Sequence, residues 1–195
     1  MQSEMFYSKI QDSVVLDPES RHQAFSTLHA EVLAEYVNAV SAITDSKAES
    51  CSSDGRSIKQ VVGHIMEWDR FMIQAAGELL SGVQDPQMMH LKGFHHLLGM
   101  TQDFESIDGF NAFHAVEQAG QPWDQIQSMA IACAQILHRL FTTPGLLEAP
   151  LLDATAPVTI KFSGGVKIKS SIGWQLWIIV MEHEAVEHFA DLTLG

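Results

Sequence analysis

A histidine on the inward face of one helix, and a carboxylate–histidine pair on another, are the parts of a metal centre. This chain carries both. His64 lies in the run Ser57-Ile58-Lys59-Gln60-Val61-Val62-Gly63-His64-Ile65-Met66-Glu67-Trp68-Asp69-Arg70. Ser57 followed three residues later by Gln60 is the capping-box signature of a helix start. Val61, His64, Trp68, Phe71 and Ala75 then recur at intervals of three and four, which puts the imidazole on the face that a core should cover. A buried imidazole needs partners for its ring nitrogens, so something polar must meet it inside.

The far end of the chain supplies Met181-Glu182-His183-Glu184-Ala185-Val186-Glu187-His188-Phe189-Ala190-Asp191-Leu192. On a regular helix Glu184 and His188 diverge by roughly 40°, and His183 and Glu187 pair equally well. His183 and His188 diverge by roughly 140° and would share one ion only through a π-bulge. The Glu184–His188 face continues through Trp177, Met181 and Leu192, a stripe fit for a core, and is the preferred choice. The rival face continues through Leu176, Ile179, Val180 and Ala190. With His64, the preferred pair gives two imidazoles and one carboxylate, a set suited to Zn²⁺, Ni²⁺ or Fe²⁺ with positions left open for water or substrate. The plainer reading is a hydrogen-bonded core histidine, a solvated acidic face and an ordinary i,i+4 pair.

The elements that would position these residues are mostly helical. Asp17-Pro18-Glu19 is a helix start, and Phe25, Leu28, Val32, Leu33, Val40 and Ile43 continue it to about residue 44. Residues 45–55 read as a polar loop. The His64 helix runs to Ser81-Gly82, where glycine supplies the stop. Residues 85–104, with His90, His95 and His96, read as a long connection holding at most a short helical turn. Ile107 to Gln118 is a helix, Gly120-Gln121-Pro122 interrupts it, and Trp123 to Thr142 continues it with a clean apolar stripe. Val158-Thr159-Ile160-Lys161-Phe162 and Val166-Lys167-Ile168-Lys169 flank Ser163-Gly164-Gly165, an alternation that reads as a short β-hairpin. Ser170 or Ser171 then caps a last helix reaching Leu192. The expected fold is a single all-α domain over residues 1–195. It is a four-helix bundle with a long connection between helices 2 and 3 and a hairpin before the last helix.

Composition narrows the function. The chain has 24 acidic against 11 basic residues and a formal net charge of −13. With no Lys/Arg cluster, nucleic acid and anionic membrane surfaces are not expected partners. The longest continuous apolar run, Leu176 to Met181, is too short to cross a bilayer. Cys51 and Cys133 lack metal or redox spacing, and the N-terminal residues lack a signal-peptide pattern, so a reducing cytoplasm is expected. From Trp174 to Met181 only Gln175 is polar; a helix apolar nearly all round needs cover on several sides, and a homodimer is expected to supply it.

Gly55 to Arg70 resembles the second-helix motif of the DinB-like superfamily, which includes the N-terminal domains of mycothiol-dependent maleylpyruvate isomerases. There a helix-starting Ser or Thr leads to a His followed by aromatic and acidic residues. Glu184-Ala185-Val186-Glu187-His188-Phe189-Ala190-Asp191-Leu192 is similar to the last-helix motif, His-x-x-x-His. Asp108-Gly109-Phe110-Asn111-Ala112 and Gln121-Pro122-Trp123 resemble the third-helix region of the ClbS/DfsB-type branch. The resemblance implies an up-down-down-up bundle, often dimeric. It implies a divalent ion held by one residue of helix 2 and two of the last helix, which by position are His64, Glu184 and His188. The chain departs from the pattern at Glu184, where the family has histidine. A metal-dependent thiol transferase, or another small-molecule transferase or hydrolase using a metal-activated nucleophile, is the function so implied. The alternatives are a metal-free bundle that binds small apolar compounds in detoxification or immunity, with Trp68, Trp123, Trp174 and Trp177 lining a pocket, and a dimeric module with a vestigial site.

Overall fold

The computed structural model describes residues 1–52, 55–95, 100–163 and 165–193. It adds one helix before Asp17, α1 (Ser3–Val14), whose Phe6, Tyr7 and Ile10 turn inward. Helix α2 (Pro18–Ser41) begins as its sequence dictates: the Asp17 carboxylate accepts from the Ser20 N–H at 3.1 Å, with Pro18 in the first turn. A short α3 (Asp45–Ala48) follows. Helix α4 (Ile58–Leu80) closes both halves of its capping box. Ser57 Oγ accepts from the Gln60 N–H at 3.2 Å, and Gln60 Oε1 accepts from the Ser57 N–H at 2.8 Å.

The connection after α4 holds a 3₁₀ turn (Gln87–His90) and a two-residue antiparallel pair, β1 (Phe94–His95) with β2 (Thr101–Gln102). His96 lies outside the described residues. Helices α5 (Ile107–Ala119) and α6 (Trp123–Thr142) are separated at Pro122, and a short α7 (Ala149–Asp153) leads into the hairpin. Strands β3 (Pro157–Lys161) and β4 (Lys167–Ser171) pair antiparallel, with Lys161 opposite Lys167; Gly164 of the expected turn lies outside the described residues. Helices α2, α4, α6 and α8 (Ile172–Glu182) make the bundle. Helix α4 packs along α6, α6 along α2, and α8 against both α4 and α2. The all-α four-helix bundle expected from sequence is therefore the observed fold.

The end of the chain departs from the regular helix that periodicity suggests. Helix α8 stops at Glu182, a π turn spans His183–Glu187, and α9 (Phe189–Thr193) resumes the α pattern. A π turn takes up one more residue than an α turn, so positions five apart come into line. The apolar circumference of α8 is covered within one chain. Trp174, Leu176, Trp177, Ile178 and Met181 are all fully buried, with Phe141 stacked on Trp177 at 4.7 Å and the Trp174 ring parallel to it at 6.2 Å. The helix thus needs no second copy to cover it. Trp123 is likewise anchored in the fold, its indole N–H donating to the Ile43 carbonyl, whereas Trp68 lines a cavity. No helix among the described residues is long and apolar enough to cross a membrane. Both cysteines are free, and burial pushes the Cys133 thiol up to about 12, which makes it an inert core group.

Entry into α8 depends on a close approach. The Ser171 hydroxyl donates to the Leu152 carbonyl at 2.6 Å instead of capping the helix. A Cβ on Gly173 would lie 2.7 Å from the Leu152 Cα and carbonyl oxygen, atoms of backbone that cannot swing aside. Gly173→Ala is expected to destabilise the protein by about 2 kcal/mol through this overpacking. Gly77→Ala, on α4 where a Cβ meets nothing within 4 Å, should be neutral or stabilising by up to about 1 kcal/mol. Urea unfolding of the two variants checks the contrast, and equal stabilities would remove the close-approach argument.

Candidate metal centre

Three imidazoles converge where α4 crosses the end of α8. His64 comes from the inward face of α4, placed there by the capping box and the three–four spacing. His183 follows α8 directly, and His188 follows the π turn. The ring centroids form a near-equilateral triangle, 5.2 Å between His64 and His183, 5.0 Å between His64 and His188, and 5.1 Å between His183 and His188. One ligand atom from each lies within 4.8 Å of the others. His183 and His188 are buried and His64 half-buried. Burial holds the His183 imidazole well below its ordinary pKa, and its two histidine neighbours add to the effect. Neutral rings are the form that ligates, and three imidazoles with an open side are a known type of catalytic zinc ligand set. The donors present therefore fit a borderline divalent ion.

The structure brings together two of the three residues expected from sequence and replaces the third. His64 and His188 belong to the cluster. Glu184 does not; its place is taken by His183, because the π turn puts His183 and His188 on one face.

Glu184 faces the bundle interior, fully buried among His29, Tyr36 and Asp69. His29 Nε2 lies 4.0 Å from Glu184 Oε2, and neither Glu184 oxygen accepts a hydrogen bond from the described residues. Burial pushes its carboxyl up to about 8. Asp69 is raised well above the carboxylate range by burial and then by Glu184, and the Tyr36 phenol is raised by burial and both acids. The Trp177 indole N–H donates to His29 Nδ1 at 3.0 Å, which leaves the ring proton on Nε2. Burial lowers the His29 pKa to about 3. This second polar group carried no motif in the sequence: His29 sits among α2 core residues at ordinary helical spacing, and Asp69 read as one more acid after Trp68.

A cavity of about 740 Å³ opens beside the imidazoles, with His64 and His183 in its wall. Trp68, Phe71, Met72 and Val180 form an apolar side from α4 and α8, and Ile160 and Phe162 bring the β3 hairpin across as a second wall. Glu182, the residue before His183, fastens that hairpin. Its Oε1 accepts from the Tyr7 hydroxyl at 2.6 Å, from the Ser163 N–H at 3.1 Å and from the Ser163 hydroxyl.

No protein-family model and no curated protein sequence matches the chain. Among solved structures the bundle is similar to mycothiol-dependent maleylpyruvate isomerase. Against a histidine-to-alanine mutant of that enzyme the TM-score is 0.56 at 12% identity, covering 89% of this chain and 61% of the other. Against the enzyme without that mutation it is 0.55 at 11%, covering 88% and 60%. The chain thus spans about three-fifths of the length of these structures. The likeness is one of fold.

Proposed function

We propose that this chain is a metal-dependent enzyme of the DinB-like superfamily that directs a small nucleophile, a low-molecular-weight thiol in the first instance, at a small electrophile. The observation that carries the reading is the meeting of His64, His183 and His188 beside a cavity whose wall includes the first two. These three would hold Zn²⁺, Ni²⁺ or Fe²⁺, and such an ion would supply Lewis-acid activation of a coordinated thiol or water near neutral pH. The protein's own residues orient and exclude water. Trp68 sets its ring edge-on to His64 and to His183, each at 6.5 Å, which keeps both imidazoles against an apolar surface and leaves the cavity side open. The Glu182 fastening holds the hairpin over the reacting space, a wall that would shield a nucleophile from bulk solvent. The fold likeness to a mycothiol-dependent enzyme supports a thiol as the nucleophile.

Cobalt(II) substitution tests both halves of this reading. Protein stripped of metal should take up one Co²⁺ per chain. Adding glutathione or 2-mercaptoethanol should then raise a sulfur-to-cobalt charge-transfer band. Cobalt bound with a spectrum unmoved by millimolar thiol would sink the thiol assignment and leave a water-activating enzyme. Failure to bind any divalent ion would sink the metalloenzyme reading in favour of a metal-free binding bundle.

A further inference from the structure

The cavity beside the imidazoles has one polar contact whose direction is fixed by chemistry. Asn111 of α5 lines it, and Asn111 Oδ1 lies 3.0 Å from Trp68 Nε1. An indole nitrogen only donates, so the oxygen of the amide must face it. The Asn111 Nδ2 hydrogens are thereby left for whatever occupies the cavity. They form a donor pair on a wall otherwise built from Trp68, Ile107, Leu91 and Met89.

The charges around the cavity exclude ionic ligands of both signs. Glu182 and Glu187 line it against Lys161 at its exposed rim, so an anion is repelled. A cation gains little in return. Glu182 Oε1 already takes three hydrogen bonds, Asp69 is 1% exposed, and Glu187 shares its field with Arg56. A cavity of 740 Å³ falls within the range that encloses a small molecule.

We propose that this cavity selects an uncharged, apolar carbonyl compound, its carbonyl oxygen accepting from the Asn111 side-chain amide and its hydrocarbon body lying between α4, α8 and the hairpin. As the substrate class of the same site it rests on the reading above, since the carbonyl would be the electrophile that a nucleophile held at His64 and His183 meets. Binding itself, however, needs no ion.

The test is calorimetric titration of metal-stripped protein with 2-octanone, octanoate and octylamine, which share a tail and differ in head group. The ketone should bind at least about ten-fold tighter than either ion. Shortening it to 2-hexanone should cost about four-fold per methylene, roughly fifteen-fold in all. Asn111→Asp keeps an acceptor for the Trp68 indole while removing the donor pair. It should weaken 2-octanone by about ten-fold and strengthen octylamine, a reversal that mere loosening of Trp68 would not produce. Octanoate or octylamine matching the ketone on the wild type, or an unchanged head-group order in the variant, overturns the proposal. The wild-type order decides alone should the variant not fold. If zinc fails to bind but the ketone order holds, the metal reading falls and this one stands; if zinc binds and the order fails, the reverse is true.

Discussion

His183→Ala is expected to abolish stoichiometric binding of a divalent ion, while Glu184→Ala leaves it intact. The geometry makes the contrast sharp. His183 is one corner of the imidazole triangle, whereas Glu184 faces His29 across the bundle interior. Losing an outer-shell partner of a metal ligand typically costs 10–100-fold in affinity, and losing one of three ligands should cost at least about a hundred-fold. The effect also reads out as stability, because an ion bound to the folded chain alone adds its binding free energy to folding. At an ion concentration about a thousand times the dissociation constant this amounts to about 4 kcal/mol. A chelator should therefore lower the melting temperature of wild type and of Glu184→Ala but leave His183→Ala, His188→Ala and His64→Ala unmoved. Elemental analysis of untagged protein gives the same comparison directly. Metal retained in His183→Ala and lost in Glu184→Ala would return the ligand role to the carboxylate.

The reason sequence reading chose Glu184, where the structure sets His183 beside His64 and His188, lies in what periodicity encodes. The capping box at Ser57 and the stripe from Val61 to Ala75 are local, and both emerged as read. The hairpin, flanked by alternating residues, also emerged, shifted by a residue or two. An α-helix assumed through residue 192 must set His183 and His188 on different faces, and no residue between them is a proline or glycine that would signal a break. The π turn follows from tertiary contacts instead: it brings two imidazoles to a third on α4, and sets a buried carboxyl opposite. Helix α1 eluded the apolar-periodicity reading because only Phe6, Tyr7, Ile10 and Ser13 turn inward in a polar segment. The cavity combines α4, α5, α8 and the hairpin, so no single window of sequence contains it.

Glu184→Gln is expected to stabilise metal-free protein by an amount that grows with pH. The Glu184 carboxyl, fully buried and without a hydrogen bond from the described residues, is raised by burial from its ordinary 4.5 to about 8. Below pH 4.5 the folded and unfolded chains both keep that proton, and the residue contributes no pH dependence. Between pH 4.5 and 8 the unfolded chain has released it while the folded chain still holds it. Folding then requires proton uptake, and stability falls by about 1.4 kcal/mol per pH unit. Above pH 8 the loss is complete. His29 works in the opposite sense: its imidazole, lowered to about 3 by burial, penalises the folded state below its ordinary 6.5, so stability there rises with pH. The two slopes overlap between pH 4.5 and 6.5, which makes the wild-type profile alone uninformative. The difference between wild type and Glu184→Gln cancels the His29 slope and reports the Glu184 carboxyl together with its repulsion of Asp69, whose pKa it helps to raise. That difference, from urea unfolding with chelator present, should be near zero at pH 4.5 and reach on the order of 4 kcal/mol in favour of the glutamine at pH 8. A difference that stays flat, or that favours wild type at pH 8, would mean the carboxylate is ionised and partnered in the folded chain. It would then be available to an ion after all.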